Sequence, residues 1–202
     1  MRTLLMWVTV LALAGVGRAT AGETPFADVA IGDWARYTLN ASLENLSLRG
    51  QMVMTAAGKS SARLSLRQDV AIDASNGGRN RESQWAEVDL TREFDPLSLF
   101  GNSFPPGFKL DMTETGRETV ATADGRMEFD TEFVTYGVAI SPMTGSLKIW
   151  TSEDLPLRWV KFDLVLEFNA NKKVSMQMLL AAFGDASTSD MGNKDADAGT
   201  DE

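Results

Sequence analysis

The sequence predicts a mostly β protein: a single curved antiparallel sheet, a half-barrel or open barrel of about nine strands, with one or two short helices on its concave side. Three observations lead there. Within residues 148–183, Val160, Phe162, Leu164, Leu166 and Phe168 fall on every second position. After Asn169-Ala170-Asn171-Lys172 the alternation resumes with Val174, Met176, Met178, Leu180 and Ala182. A period of two is the mark of a strand with one buried face, so this stretch is expected to fold back on itself as a long hairpin. Ten residues of strand span roughly 33 Å, beyond the usual ~17 to 20 Å, a length that suits a large curved sheet. The same alternation recurs along the chain, and no helical pattern is sustained for more than three turns.

Taken in order, Thr24-Pro25 opens Phe26-Ala27-Asp28-Val29-Ala30-Ile31-Gly32, with a capping residue, a proline fit for the first helical position and a terminating glycine. One or two helical turns are expected there. Ala35, Tyr37 and Leu39 then share a strand face, as do Leu46, Leu48, Met52 and Met54, and then Ala62, Leu64, Leu66, Val70 and Ile72. Polar residues fill the gaps, as in strands with one wet face. Ser75-Asn76-Gly77-Gly78 is a turn, and residues 81–90 return from it. Asp95-Pro96-Leu97-Ser98-Leu99-Phe100-Gly101 again has a cap, a first-position proline and a stop, which predicts a second short helix. Residues 94–108 are the one apolar insertion between strands, and they are expected to gate the concave face.

Strands are expected at residues 108–113 and 118–122, and Asp124-Gly125 turns the chain into residues 126–140. In that run Met127, Phe129 and Phe133 are odd-numbered while Val134, Tyr136, Val138 and Ile140 are even. The apolar parity changes at Phe133, which calls for a β-bulge or for burial of both faces. Met143-Thr144-Gly145-Ser146 is read as the turn into the terminal hairpin.

The chain divides into three parts. Residues 1–21 resemble a cleavable signal peptide: Arg2, an apolar run over residues 4–17, and Ala19-Thr20-Ala21 as the small-x-small cleavage site. The run is too short to span ~30 Å of hydrocarbon comfortably, and the absence of cysteine at the cleavage site argues against a lipid anchor. Residues 22–184 form the β-rich domain. Residues 185–202, with six acids, one lysine and Met191 as the one large apolar residue, are expected to be a disordered tail. Loss of the leader removes Arg2 and Arg18 and leaves 17 basic against 28 acidic residues. A periplasmic location is expected, and the acidity argues against nucleic acid as a partner.

Absent residues narrow the chemistry. With no histidine and no cysteine, imidazole bases, thiolate nucleophiles, disulfides and the usual zinc ligands are excluded. No S-x-x-K or G-x-S-x-G occurs. Gly58-Lys59-Ser60 imitates the end of a phosphate loop, but Val53 stands where its first glycine belongs. Glu128, Asp130 and Glu132 lie roughly 6.8 Å apart on one strand face, within the carboxyl spacing of inverting glycosidases, ~6.5 to 9.5 Å. Their apolar neighbours instead place them on a solvated face, paired with residues such as Arg63 and Arg67. Asn193, Asp195 and Asp197 begin like a calcium loop that the chain does not complete. A non-enzymatic protein without cofactor or metal is therefore expected.

Methionine usage is more informative. Met52, Met54, Met127, Met176 and Met178 are expected to face inward with Phe129 and Phe162, and Phe100 and Phe104 to meet them from the insertion. Flexible thioethers form surfaces that re-pack around apolar ligands, although filling gaps in a core is their ordinary role. Trp34, Trp85, Trp150 and Trp159 would mark the rim, where indole N–H groups find polar partners.

Gly32-Asp33-Trp34-Ala35-Arg36-Tyr37 and the run K-I-W-T-S-E-D-L-P-L-R-W-V-K-F at residues 148–162 resemble the opening and closing strands of uncharacterised exported bacterial β-rich proteins. The whole architecture is similar to the LolA/LolB-like lipoprotein-carrier half-barrel, an antiparallel sheet curled around short helices. That resemblance implies export and an apolar concavity. The expectation is an exported protein that holds a lipid-like ligand or a hydrophobic partner in its concave face; the alternative is an envelope interaction module with a filled core. Envelope-protein partners and peripheral membrane contact both remain open.

Overall fold

The computed structural model describes residues 26, 28–43, 46–91, 109–140, 142–168 and 172–188. They form one nine-stranded open antiparallel sheet, with β1 Trp34–Leu43, β2 Leu46–Lys59, β3 Arg63–Ala74, β4 Arg79–Asp89, β5 Lys109–Ala121, β6 Glu128–Ile140, β7 Met143–Thr151, β8 Trp159–Phe168 and β9 Lys172–Gly184. The spatial order is β4-β3-β2-β1-β9-β8-β7-β6-β5. Two meanders thus meet at a central pairing of the first and last strands, and β4 and β5, consecutive in sequence, form opposite edges.

The inner face is read off the register as rows of directly paired residues. One row runs Leu46, Leu43, Val174, Leu166, Gly145, Val138, Leu110. The next runs Ala74, Leu48, Ala41, Met176, Leu164, Leu147, Tyr136, Met112, and the third Ile72, Gly50, Leu39, Met178, Phe162, Ile149, Val134, Thr115. Burying each large apolar side chain in these rows stabilises the fold by roughly 1.5–3 kcal/mol before ordering entropy is subtracted.

Several expectations are corrected. No helix forms among the described residues. Phe26 and Val29 are buried in a turn closed by Val29 N–H donating to the Phe26 carbonyl at 3.3 Å, and Asp33 accepts from Ala30 N–H at 2.8 Å. The chain here is consumed by pairing with β2: Gly32 N–H donates to the Ala56 carbonyl and Ala56 N–H to the Asp33 carbonyl, both at 2.8 Å. A helix would break those bonds. The helix expected at residues 95–100 lies outside the described residues, as do the leader and residues 189–202. Residues 109–121 form one strand, not two, because a register shift between Met112 and Glu114 absorbs the interruption.

Met143-Thr144-Gly145-Ser146 lies inside β7 and is not a turn. Glycine suggested a turn from sequence. Its actual role is close approach, since a Cβ at Gly145 would stand 1.9 Å from the Val165 carbonyl oxygen, and one at Gly50 would stand 2.2 Å from that of Ala71. Glycines inside strands permit the local kinks by which sheets curve.

The parity change in β6 takes the second of the two forms. Phe133 and Val134 are consecutive and both buried, with no register shift against β7. Val134 belongs to the inner rows; Phe133 pairs with Trp150 on the opposite side. Phe133 seats its ring over Gly116, its partner in β5, where a Cβ would come within 2.6 Å of the ring. The β5–β6 turn is tied to β9 by Ala123 N–H donating to the Leu180 carbonyl at 2.8 Å, and Phe129 meets Phe183 edge-on at 5.9 Å.

Gly145→Ala is expected to destabilise the protein by about 2–3 kcal/mol, because neither the Val165 carbonyl nor the backbone beneath it can retreat. Gly125→Ala, where φ is +69° but nothing lies within 4 Å of the new methyl, is expected to cost about 1 kcal/mol. Urea denaturation of the two variants checks the order.

Candidate functional site

Met52, Met54, Phe162, Met176 and Met178 come together on the inner face, each no more than 3% exposed and all within one hydrophobic cluster. Phe129 is buried too, at the start of β6 against Phe183. Met127 departs from expectation: it sits in the β5–β6 turn, 39% exposed, with its backbone bonded to Thr122. The alternation that assigned it inward begins one residue later, at Glu128. Phe100 and Phe104 lie outside the described residues.

The two ends of the inner face differ. At one end Phe26, Val29, Leu155, Leu157 and Trp159 are buried against the sheet. Phe26 packs edge-on to Trp159 with ring centroids 6.3 Å apart, and the Tyr37 hydroxyl donates to the Trp159 carbonyl at 3.3 Å. Burial pushes the Tyr37 pKa far upward, so this hydroxyl remains a donor at any working pH. Trp159 reaches the core because the pairing shifts between Trp150 and Thr151, leaving Val160 as the extra, fully buried residue. Arg158, just before it, holds φ at 59°, the one non-glycine residue in the left-handed region among those described. At the other end, Leu46, Ala74, Leu110, Tyr136, Met143 and Val174 are partly buried, and Met112 is 54% exposed. An apolar mouth therefore adjoins the row that contains Met176.

One member of the face escaped the sequence reading. Gln68 occupies the even position between Leu66 and Val70 and is fully buried beside Met54. Its Oε1 and Nε2 have no hydrogen-bond partner, and neither has Nε2 of Gln84, its direct partner in β4. Burying an amide unpaired costs roughly 1–3 kcal/mol. The available signal was a polar residue at an inward-parity position in an otherwise apolar run.

The opposite face carries a polar and aromatic network. Lys148 Nζ lies 3.6 Å from the Phe133 ring centre and 4.6 Å from that of Trp150, with Lys161 Nζ 4.3 Å from Trp150 on its own account. Glu118 accepts from the Trp150 indole N–H and from Lys148 at 3.3 Å. Those contacts, the Trp150 bond foremost, hold the Glu118 carboxyl below its ordinary range. Asp163 takes Lys161 at 2.8 Å and the Gln177 amide at 3.0 Å. Every charge here is answered by a neighbour, so the network reads as packing and not as a poised acid or base.

The acidic stripe is also accounted for. Glu128, Asp130 and Glu132 are exposed; Glu132 accepts from Arg117 at 3.1 Å, and Asp130 from Thr119 at 3.1 Å. The expected partners Arg63 and Arg67 lie on the other wing, paired with Glu87 at 3.3 Å and Asp69 at 3.0 Å. Among the described residues no group of three or more acids could hold a metal ion, and no helix is long and apolar enough to cross a membrane. The tryptophans divide: Trp150 and Trp159 are buried, Trp85 is exposed on the outer face, and Trp34 donates to the Thr188 carbonyl at 2.9 Å.

The class of protein is thus an open, curved, all-antiparallel β-sheet with an apolar inner face. No protein-family model and no curated protein matches the chain. Solved structures that align with it include one described as "a putative lipoprotein" from Parabacteroides distasonis, at 13% identity and TM-score 0.48, covering 82% of this chain and 100% of that one. An acyl-ACP thioesterase from Bacteroides thetaiotaomicron aligns over 73% of this chain and 76% of its own at 14% identity and TM-score 0.17. At those scores neither likeness carries an argument about function.

Because the folded pKa of Glu118 is depressed, its ionised form stabilises the fold above the ordinary glutamate range near ~4.3 and ceases to do so as pH falls through the folded value. Glu118→Gln is therefore expected to melt lower than the parent at about pH 7 and to converge with it in acid. Melting temperatures of both proteins across that pH range are the check, and a constant gap would contradict it.

Proposed function

We propose that the chain is an exported, non-enzymatic binding protein of the bacterial periplasm that holds a lipid-like apolar ligand against its methionine-bearing inner face. The observation that carries this reading is the polarity of that face along its length. Continuous apolar rows cross seven and eight strands, sealed at one end by Phe26, Val29, Leu155, Leu157 and Trp159 and half-exposed at the other around Leu110 and Met112. A ligand would enter over Leu46, Val174 and Met112 and be accommodated by Met176, Met178 and Met52, whose thioethers re-pack at low cost. Export rests on the leader-like residues 1–21. The non-enzymatic assignment rests on the missing histidine and cysteine and on the mutual pairing of Glu118, Lys148, Lys161 and Asp163 on the outer face.

A second reading, an envelope interaction module with a filled core, is favoured by one specific observation. The inward methionines are nearly inaccessible, so the face can also be complete without a ligand.

Native mass spectrometry of the protein purified from a periplasm without detergent separates the two. A reproducible co-purifying apolar molecule supports carriage, and a clean apo mass with no uptake of a fluorescent fatty acid supports the filled core. Met112→Asp, at an exposed position that tolerates charge, is expected to weaken uptake about tenfold while leaving the melting temperature within a few degrees of the parent. Unchanged uptake would remove the mouth from the ligand's path.

A further inference from the structure

Gln68 and Gln84 stand directly opposite each other on adjacent strands, on the inner face. Gln68 is flanked along β3 by the buried Leu66 and Val70 and across the sheet by Met54, which is itself paired with Ala35. Gln84 is half-buried on the edge strand, with Ala86 on one side and the exposed Glu82 on the other. Three amide atoms have no partner there: two donors, Nε2 of each residue, and one acceptor, Oε1 of Gln68. Polar groups taken out of water in native proteins are almost always bonded to something. Two amides in register on an apolar face, with three unpaired atoms between them, offer donors and an acceptor to a polar group.

We infer that this pair binds the neutral polar head of the apolar ligand, and that the head is an amide. The inference rests on the binding reading above. A carbonyl oxygen accepts from both Nε2 groups, and an amide N–H donates to Gln68 Oε1, which uses all three free atoms. A carboxylate has no proton for Oε1 and would approach the negative charge of Glu82. A bare hydrocarbon leaves the pair as unsatisfied as before. From Gln84 on β4 to Met178 on β9 is four strand spacings, ~19 Å, and the chain of such a ligand would lie over Met54, Met52 and Met178.

The experiment compares dodecanamide with dodecane, each delivered from cyclodextrin, by the rise in melting temperature of the full chain as a function of probe concentration. Dodecanamide is expected to bind about tenfold tighter than dodecane, which is the worth of one to two neutral hydrogen bonds. In Gln68→Met/Gln84→Met the two probes should bind alike, at the dodecane level, while the unliganded protein melts higher because the unpaired amides are gone. Gln84→Met alone, at the half-exposed edge position, removes one donor, leaves Gln68 in place and is expected to lose part of the preference. Equal binding of both probes to the parent overturns this inference and leaves the apolar-ligand reading standing, as does a preference retained by the double variant. No binding of either probe overturns both.

Discussion

The pairing of β1 with β9 is the constraint on which the rest depends. It joins Trp34–Leu43 to Lys172–Gly184, the first and last strands, and it alone connects a meander of four strands to a meander of five. Without it there would be two smaller sheets, each with an extra unpaired edge and neither with an inner face broad enough to bury its methionines. Its residues show that cost being avoided: Tyr37, Leu39, Met176, Met178 and Leu180 are all buried at the join. Since more than a hundred residues separate the partners, their meeting must overcome a large loop-closure entropy, and the reward is continuity of the apolar rows across it.

The pairing is also where the sheet's geometry is adjusted. A shift between Arg36 and Tyr37 inserts one extra residue in β9, so that Tyr37 faces Leu180 while Arg36 faces Ala182. Leu180 can then both fill the inner face and lend its carbonyl to Ala123 from the β5–β6 turn. A second shift, between Trp150 and Thr151, turns Trp159 inward against Phe26. Bulges re-aim side chains in this way without changing strand order. Together they seal one end of the face and leave the other half-exposed, the asymmetry on which the functional reading stands. The two outer edges are guarded differently: β4 carries Arg79, Arg81, Glu82, Glu87 and Asp89, and β5 carries Lys109, Asp111, Glu114, Arg117 and Glu118 as well as a bulge. Such charges discourage edge-to-edge association.

The two faces carry their polar groups differently, although Thr135 Oγ1, opposite Lys148 on the outer side, also lacks a partner. On the outer side of β7 and β8, Lys148 and Lys161 lie over Trp150 and Phe133, and Glu118 and Asp163 answer them. Cations over aromatic faces are attracted to the ring quadrupole, which lets a half-buried lysine coexist with a nearly inaccessible indole. On the inner side, Gln68 and Gln84 are left without answers.

The sequence by itself determined most of the strands, most of their inward residues and the lack of imidazole and thiol groups. Alternation follows from the two-residue pleat, so Leu64, Leu66, Val70, Ile72, Phe162, Leu164, Met176 and Met178 were assigned correctly from position alone, and the missing histidine and cysteine needed no structure to register. A change of face at Phe133 was legible as well, from the parity change, but the choice between a bulge and burial of both faces was not. Tertiary structure decided what depends on contacts distant in the chain. It decided that β1 pairs with β9, that Gly145 marks a close approach inside a strand and not a turn, that Phe26 and Val29 dock without helix, and that Met127 falls in a turn outside the core. It also decided that Gln68 meets Gln84 across the sheet. The reason is common to all of them: a strand's period is a local property of the backbone, whereas partner, register and what covers a face are set by residues far away in sequence.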